Sequence, residues 1–215
     1  LATLFMSAYA YAGSYNLGVS GSLIDVNADG TETTTAGDVG GGAANTNSTS
    51  VDNQAIIASI FAEYEMDGGI VFGFEHVPGS ADVSKNVRSR TETAQGVSGT
   101  DADGVVTRKA QAEVENLNTL YVEYPIGGYY VRAGFTQVDV NTTETVPTSS
   151  GTYGNTTLDG LNLGVGFKGS LGDYFTKLSV EYTDFEDLSL TSTTSNKITA
   201  DLDTTQLKFA IGKSF

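Results

Sequence analysis

Apolar and polar residues alternate along eight separate stretches of this chain. A period of two sends successive side chains to opposite faces of a strand, so each stretch predicts a strand with one apolar face. The first runs from Ser14 to Ile24, with Tyr15, Leu17, Val19 and Leu23 on one face and Asn16, Gly18, Ser20 and Ser22 on the other. A second, near Ala55 to Met66, presents Ile56, Ala58, Ile60, Ala62 and Tyr64, and a third presents Ile70, Phe72 and Phe74. Leu120, Val122 and Tyr124 mark the fourth; Tyr129, Val131, Ala133 and Phe135 the fifth. The sixth shows Leu161, Leu163, Val165 and Phe167, the seventh Tyr174, Thr176, Leu178, Val180 and Tyr182. In the last, Leu207, Phe209, Ile211, Lys213 and Phe215 alternate with Lys208, Ala210, Gly212 and Ser214.

The segments between these strands alternate in length. Long polar stretches cover about Val26 to Asn53, Val77 to Asn116, Val140 to Leu158 and Phe185 to Lys197. Short turns fall at Asp67 to Gly69, Pro125 to Gly128 and Lys168 to Asp173. An antiparallel up-and-down barrel of eight strands has this rhythm, with every short turn at one end and every long connection at the other. Turn lengths predict registers in which apolar meets apolar: Tyr64 with Phe72, Tyr124 with Tyr129, and Phe167 with Tyr174. Tyr15, Tyr64, Tyr124, Tyr129, Phe167, Tyr174 and Phe215 then share one level, near the short turns.

The apolar set faces either lipid or a soluble core. The other face mixes Gly and Ser with charges of both signs, which suits a filled lumen better than a solvated exterior. The alternating strand ending in Phe215 resembles the last strand of bacterial outer-membrane barrels, whose assembly machinery reads such an ending. An aromatic level near the turns fits a membrane-interface girdle. A lipocalin-like soluble barrel, with apolar side chains inside, is the rival arrangement.

Composition narrows the function classes. The 215 residues include 26 Gly, 3 Pro, no Cys and no Trp, with 11 Tyr and 10 Phe, a mixture suited to strands and turns. Without Cys there is no disulfide framework and no thiol chemistry. A net charge of −15 opposes nucleic-acid binding. No run of eighteen apolar residues spells a transmembrane helix. Leu1 to Ala12 is apolar and ends Ala10-Tyr11-Ala12, the pattern of the end of a secretory signal, so the barrel is expected from Gly13 onward.

Seven charged residues fall on the inward face: Glu63, Glu75, Glu123, Arg132, Lys177, Glu181 and Lys208. Unpaired burial of such groups is costly, so a mixed ion-pair network plugging a narrow lumen is expected, with Phe61, Tyr121 and Phe175 filling the rest. Glu123 and Arg132, diagonal across one hairpin, are the expected leading pair. Asp25, Asn27 and Asp29 followed by Gly30 match the first half of a calcium loop, but position twelve is Ala36, so the bidentate Glu is missing and any calcium contact is weak. Asp101-Ala102-Asp103-Gly104 is a shorter echo. His76, the only histidine, faces outward by parity near the outer rim, with Ser80 downstream and no catalytic motif around them.

From Gly13 to Phe215 the pattern resembles the small eight-stranded outer-membrane barrels that include OmpX, OmpW, the OmpA barrel and the opacity proteins. That resemblance implies a cell-surface location in the outer membrane, contact with lipid and lipopolysaccharide, handling by the barrel assembly machinery, and a monomer. The expected function is non-enzymatic and structural or adhesive, with long acidic loops touching a surface ligand or phage. A narrow channel for small solutes is the alternative, and a lipid-modifying barrel enzyme a distant third.

Overall fold

The computed structural model describes residues 13–34, 44–83, 88–94, 104–145, 152–193 and 195–215. They form ten strands: β1 (Gly13–Thr34), β2 (Asn45–Met66), β3 (Val71–Asp82), β4 (Arg88–Ala94), β5 (Gly104–Ile126), β6 (Tyr129–Thr145), β7 (Thr156–Leu171), β8 (Tyr174–Phe185), β9 (Leu188–Thr191) and β10 (Lys197–Ser214). All pairings are antiparallel, and β1 pairs with β10 to close the sheet on itself. β4 carries on from β3 along β5, and β9 carries on from β8 along β10. The ring therefore has eight staves, two of them broken. Residues 1–12, read as a signal remnant, and 101–103 of the second acidic turn lie outside the described residues.

The long polar segments are less loop-like than expected. β1 and β2 pair without interruption from Gly13↔Met66 to Thr34↔Asn45, so most of the stretch from Val26 to Asn53 is a two-stranded arm. Likewise β4 and β5 are laddered from Arg88↔Ala110 to Ala94↔Gly104. Thr, Ser, Asn and Val supply strand propensity without apolar alternation, and a ladder once started extends through them. The Asp25, Asn27, Asp29 segment sits inside β1, where alternate side chains are spread along an extended strand and do not wrap one ion. Asn27 donates to Asp203 Oδ1 at 3.2 Å, and Asp29 accepts from Ser50 at 2.5 Å. Among the described residues no group of three or more His, Asp or Glu side chains could hold a metal.

Two hairpins differ in register from expectation. Tyr64↔Phe72 and Ala62↔Phe74 stand as expected. The next turn needs only Gly127 and Gly128, so Tyr124 faces Val131 and Ile126 faces Tyr129. Gly127 adopts φ 66°, a region open to glycine without strain. At the third, Gly172 (φ 61°) and Asp173 suffice, and Phe167 faces Leu178. Both turns are tighter than the sequence reading because Pro125, Ile126 and Lys168 to Leu171 stay in strands.

The outer face is apolar. Leu17, Ile60, Phe74, Leu120, Leu163, Leu178, Leu207 and Phe209 are all exposed, and Ile56 reaches 85 %. Buried charges and hydroxyls share the inside with aromatic and aliphatic side chains, and the apolar outer face is the reverse of a soluble barrel. At the turn end Tyr15 and Tyr64 rings lie 5.3 Å apart, Tyr129 and Phe167 5.8 Å. Phe215 joins this level by exchanging backbone hydrogen bonds with Tyr15 at 2.8 and 3.2 Å. These are the surfaces of a barrel that crosses a bilayer with strands and carries an interfacial girdle.

Candidate functional site

Moving outward from the turn end, the bore changes chemistry in layers. Phe61, Tyr121, Tyr130 and Phe175 stand in its inner part, each facing a glycine on the neighbouring strand: Gly18, Gly73, Gly166 and Gly212. A Cβ at any of these glycines would run into the opposing ring, so the missing side chain is what lets four large rings share an eight-stranded bore.

The charges converge around those rings. Arg132 bridges two carboxylates, Nη2 to Glu75 at 2.7 Å and Nη1 to Glu181 at 2.9 Å. Lys208 holds the same two, each at 2.9 Å. Lys177 pairs with Glu123 at 2.6 Å and with Glu63. Ser59 donates to Glu75 at 2.6 Å, Tyr121 to Glu63 at 2.8 Å, and the Arg132 guanidinium lies 3.5 Å from the centre of the Tyr121 ring. The structure thus brings all seven inward-facing charged residues together. It does not join the expected pair: Glu123 and Arg132 are directly opposed in the ladder, yet Arg132 reaches across the bore and Glu123 turns to Lys177. A second pair, Lys168 with Glu65 at 2.6 Å, stands nearer the turns. Only about 10 Å³ remains open among the charges, at the lower limit for one water.

Beyond them lies a layer of small polar groups. Thr119 and Thr136 hydroxyls meet at 3.0 Å, and Asn162 donates to Thr183 at 3.0 Å. Further out the bore turns apolar, with Val138, Val140, Leu158, Phe185 and Leu202 packed together. Next to this cluster opens a cavity of about 260 Å³ lined by Ile24, Ile57, Val77, Val138, Phe185 and Leu202 among others.

That cavity reaches the barrel wall. β2 and β3 pair only from Glu65↔Val71 to Ile60↔His76, although both strands continue further out. The local cause is Pro78-Gly79. Proline has no N–H to donate, Gly79 adopts φ 89°, and a bulge shifts the β3–β5 register between Val77 and Ser80. A matching shift in β5–β6 falls between Glu115 and Asn118. Further out, Asn53 Nδ2 ties β2 to the other side, donating to the carbonyls of Val83 at 3.3 Å and Asp82 at 3.4 Å. Between the Ile60↔His76 pair and this tie lies a gap in the wall, edged by Ile56, Ala58, Pro78 and Ser80, which also line the cavity.

His76 is therefore not at the rim, since strands run well past it. It is half-buried below the gap, its Nδ1 2.8 Å from Asn118 Oδ1. The sequence signal for the gap was the Pro-Gly pair inside an otherwise strand-like stretch.

A closed antiparallel ring with an apolar exterior, an aromatic girdle and a charged, filled lumen defines an all-β barrel of the outer-membrane type. Solved structures similar to it include outer membrane protein OprG from Pseudomonas aeruginosa, at 13 % identity and TM-score 0.47 over 95 % of this chain and 97 % of that one. AlkL, solved in DMPC lipid bilayers, gives 20 %, 0.45, 97 % and 93 %. The outer membrane protease OmpT from Escherichia coli gives 9 %, 0.45, 97 % and 100 %. No protein-family model matches the chain, and no curated protein matches it.

Proposed function

We propose that this chain is a non-enzymatic outer-membrane barrel that takes small apolar molecules in at its outer end and releases them sideways into lipid. One observation carries the reading: the 260 Å³ apolar cavity is continuous with the gap between β2 and β3, while the bore beneath it is filled by ion pairs. Straight passage would require breaking several buried ion pairs, at several kcal/mol each. Sideways exit passes Ile56, Ala58, Pro78 and Ser80, none of them charged. An apolar solute gains about 25 cal/mol for each Å² it removes from water, so entry runs downhill, and release into lipid returns none of that area to water.

The test is entry of the apolar dye N-phenyl-1-naphthylamine into Gram-negative cells making the protein. Wild type should admit it several times faster than vector cells. Ala55→Trp, which projects an indole into the cavity, should return the rate to the vector level while the folded band on an unheated gel persists. A folded Ala55→Trp protein that still admits dye at the full rate would reject the route.

A further inference from the structure

The apolar cavity carries two polar atoms that nothing satisfies. Among the described residues, Thr204 Oγ1 and Asn53 Oδ1 are buried without hydrogen-bond partners, and both residues line the cavity. They belong to one cross-strand row: Val26 on β1 faces Asn53 on β2 and Thr204 on β10. Two strand spacings separate their backbones by about 10 Å. Neighbouring hydroxyls in the same lumen are paired, Thr119 with Thr136 and Thr183 with Asn162. Asn53 commits its nitrogen to the Asp82 and Val83 carbonyls, which fixes its oxygen as the free acceptor. An unsatisfied buried polar atom is costly, and valine would fill the position of Thr204 with the same shape and no such cost.

We infer that the cavity binds a neutral amphiphile, a hydrocarbon body with one hydroxyl, and that Thr204 is the residue that bonds the hydroxyl. This rests on the reading of the cavity as a solute site. The hydroxyl donates to or accepts from Thr204 Oγ1. The apolar walls of Ile24, Ile57, Val138, Phe185 and Leu202 take the chain. An anionic head is disfavoured, because the charged groups on the lining are the acids Asp82 and Glu115, and Glu115 already accepts from Asn141 at 2.6 Å. Some 260 Å³ equals about nine water volumes, which suits an alcohol of eight carbons.

The experiment follows isoleucine methyl resonances of the whole chain in lipid nanodiscs during titration with 1-octanol, octane or octanoate. Ile24 and Ile57 report the cavity; Ile60, exposed on the outer face, reports partition into lipid. Wild type should bind 1-octanol roughly five- to tenfold more tightly than octane, the worth of one buried hydrogen bond. Thr204→Val should remove that preference and leave octane binding unchanged, and Thr204→Ser should restore it. Equal affinity for 1-octanol and octane in wild type, or octanoate binding as tightly as 1-octanol, would overturn the hydroxyl assignment alone. If no ligand moves Ile24 and Ile57 apart from Ile60, the cavity reading fails together with it.

Discussion

Methionine in place of Arg132 would leave two buried carboxylates, Glu75 and Glu181, sharing one cation, Lys208. Glu181 is only 1 % exposed and Glu75 4 %, so neither can turn to water. Removing one partner of a buried ion pair costs about 3–5 kcal/mol, most of it the stranded charge, and Arg132 serves two such partners. The expected loss is therefore at the top of that range. Glu123→Gln is the internal contrast. Four carboxylates, Glu63, Glu75, Glu123 and Glu181, face three cations, Arg132, Lys177 and Lys208, so neutralising one carboxylate balances the cluster. Glu123 also has one oxygen without a partner, and Lys177 keeps Glu63. Its cost should stay within about 1 kcal/mol. The double variant Arg132→Met/Glu181→Leu removes one charge of each sign and should recover more than about 1 kcal/mol relative to the sum of the single changes. Urea titration of folding into lipid vesicles, read by gel mobility of unheated samples, measures the wild type, the three single variants Arg132→Met, Glu181→Leu and Glu123→Gln, and the double variant. Equal losses for Arg132→Met and Glu123→Gln, or strict additivity in the double variant, would refute the account of the network.

Other expectations come from the remaining surfaces. Leu163→Arg, on the lipid face between Ala133 and Tyr182, should cost about 2–4 kcal/mol near the bilayer midplane, and a loss no larger than that of Leu163→Gly would count against the assigned face. Gly166→Val drives a side chain into the Tyr130 ring and should cost about 1–3 kcal/mol in the same titration, against little change for Gly21→Val, where the outer face is open. In planar bilayers the wild type should show little steady conductance, because the charged layer leaves about 10 Å³; large, stable currents would contradict a closed bore. Trimming the β1–β2 arm beyond Gly30 and Thr49 should leave the folded gel band intact and remove any attachment to cells or phage. A folded, trimmed protein that still attached fully would place that contact elsewhere.

Strand parity was readable residue by residue. Alternation from Leu17 to Leu23 and from Leu207 to Ile211 assigned the lipid face, and all seven inward charges fell on the bore side. Polar arms were harder, because Thr, Ser and Asn serve loops and exposed strands alike, and only the ladder decides between them. Register was legible where the turn was unambiguous, at Asp67 to Gly69. It slipped by two residues at Gly127-Gly128 and by four at Gly172-Asp173, where turn-forming residues continue into the strand.

Those slips bear on function, because register sets the level of each inward side chain. Alternation reports which face a residue takes; it does not report which residues share a height or meet across the bore. Arg132 shows the difference. Its ladder neighbour is Glu123, but a guanidinium long enough to span a narrow ring meets Glu75 on β3 and Glu181 on β8, strands far apart in sequence. The wall gap is hidden for the same reason. Ile56 and Ala58 read as an ordinary lipid-facing strand, and nothing in their own stretch says that β3 has left them. The departure is written in Pro78-Gly79 some twenty residues on. It becomes an opening only because the ring brings those residues back beside β2 just outside the last paired rung, Ile60↔His76.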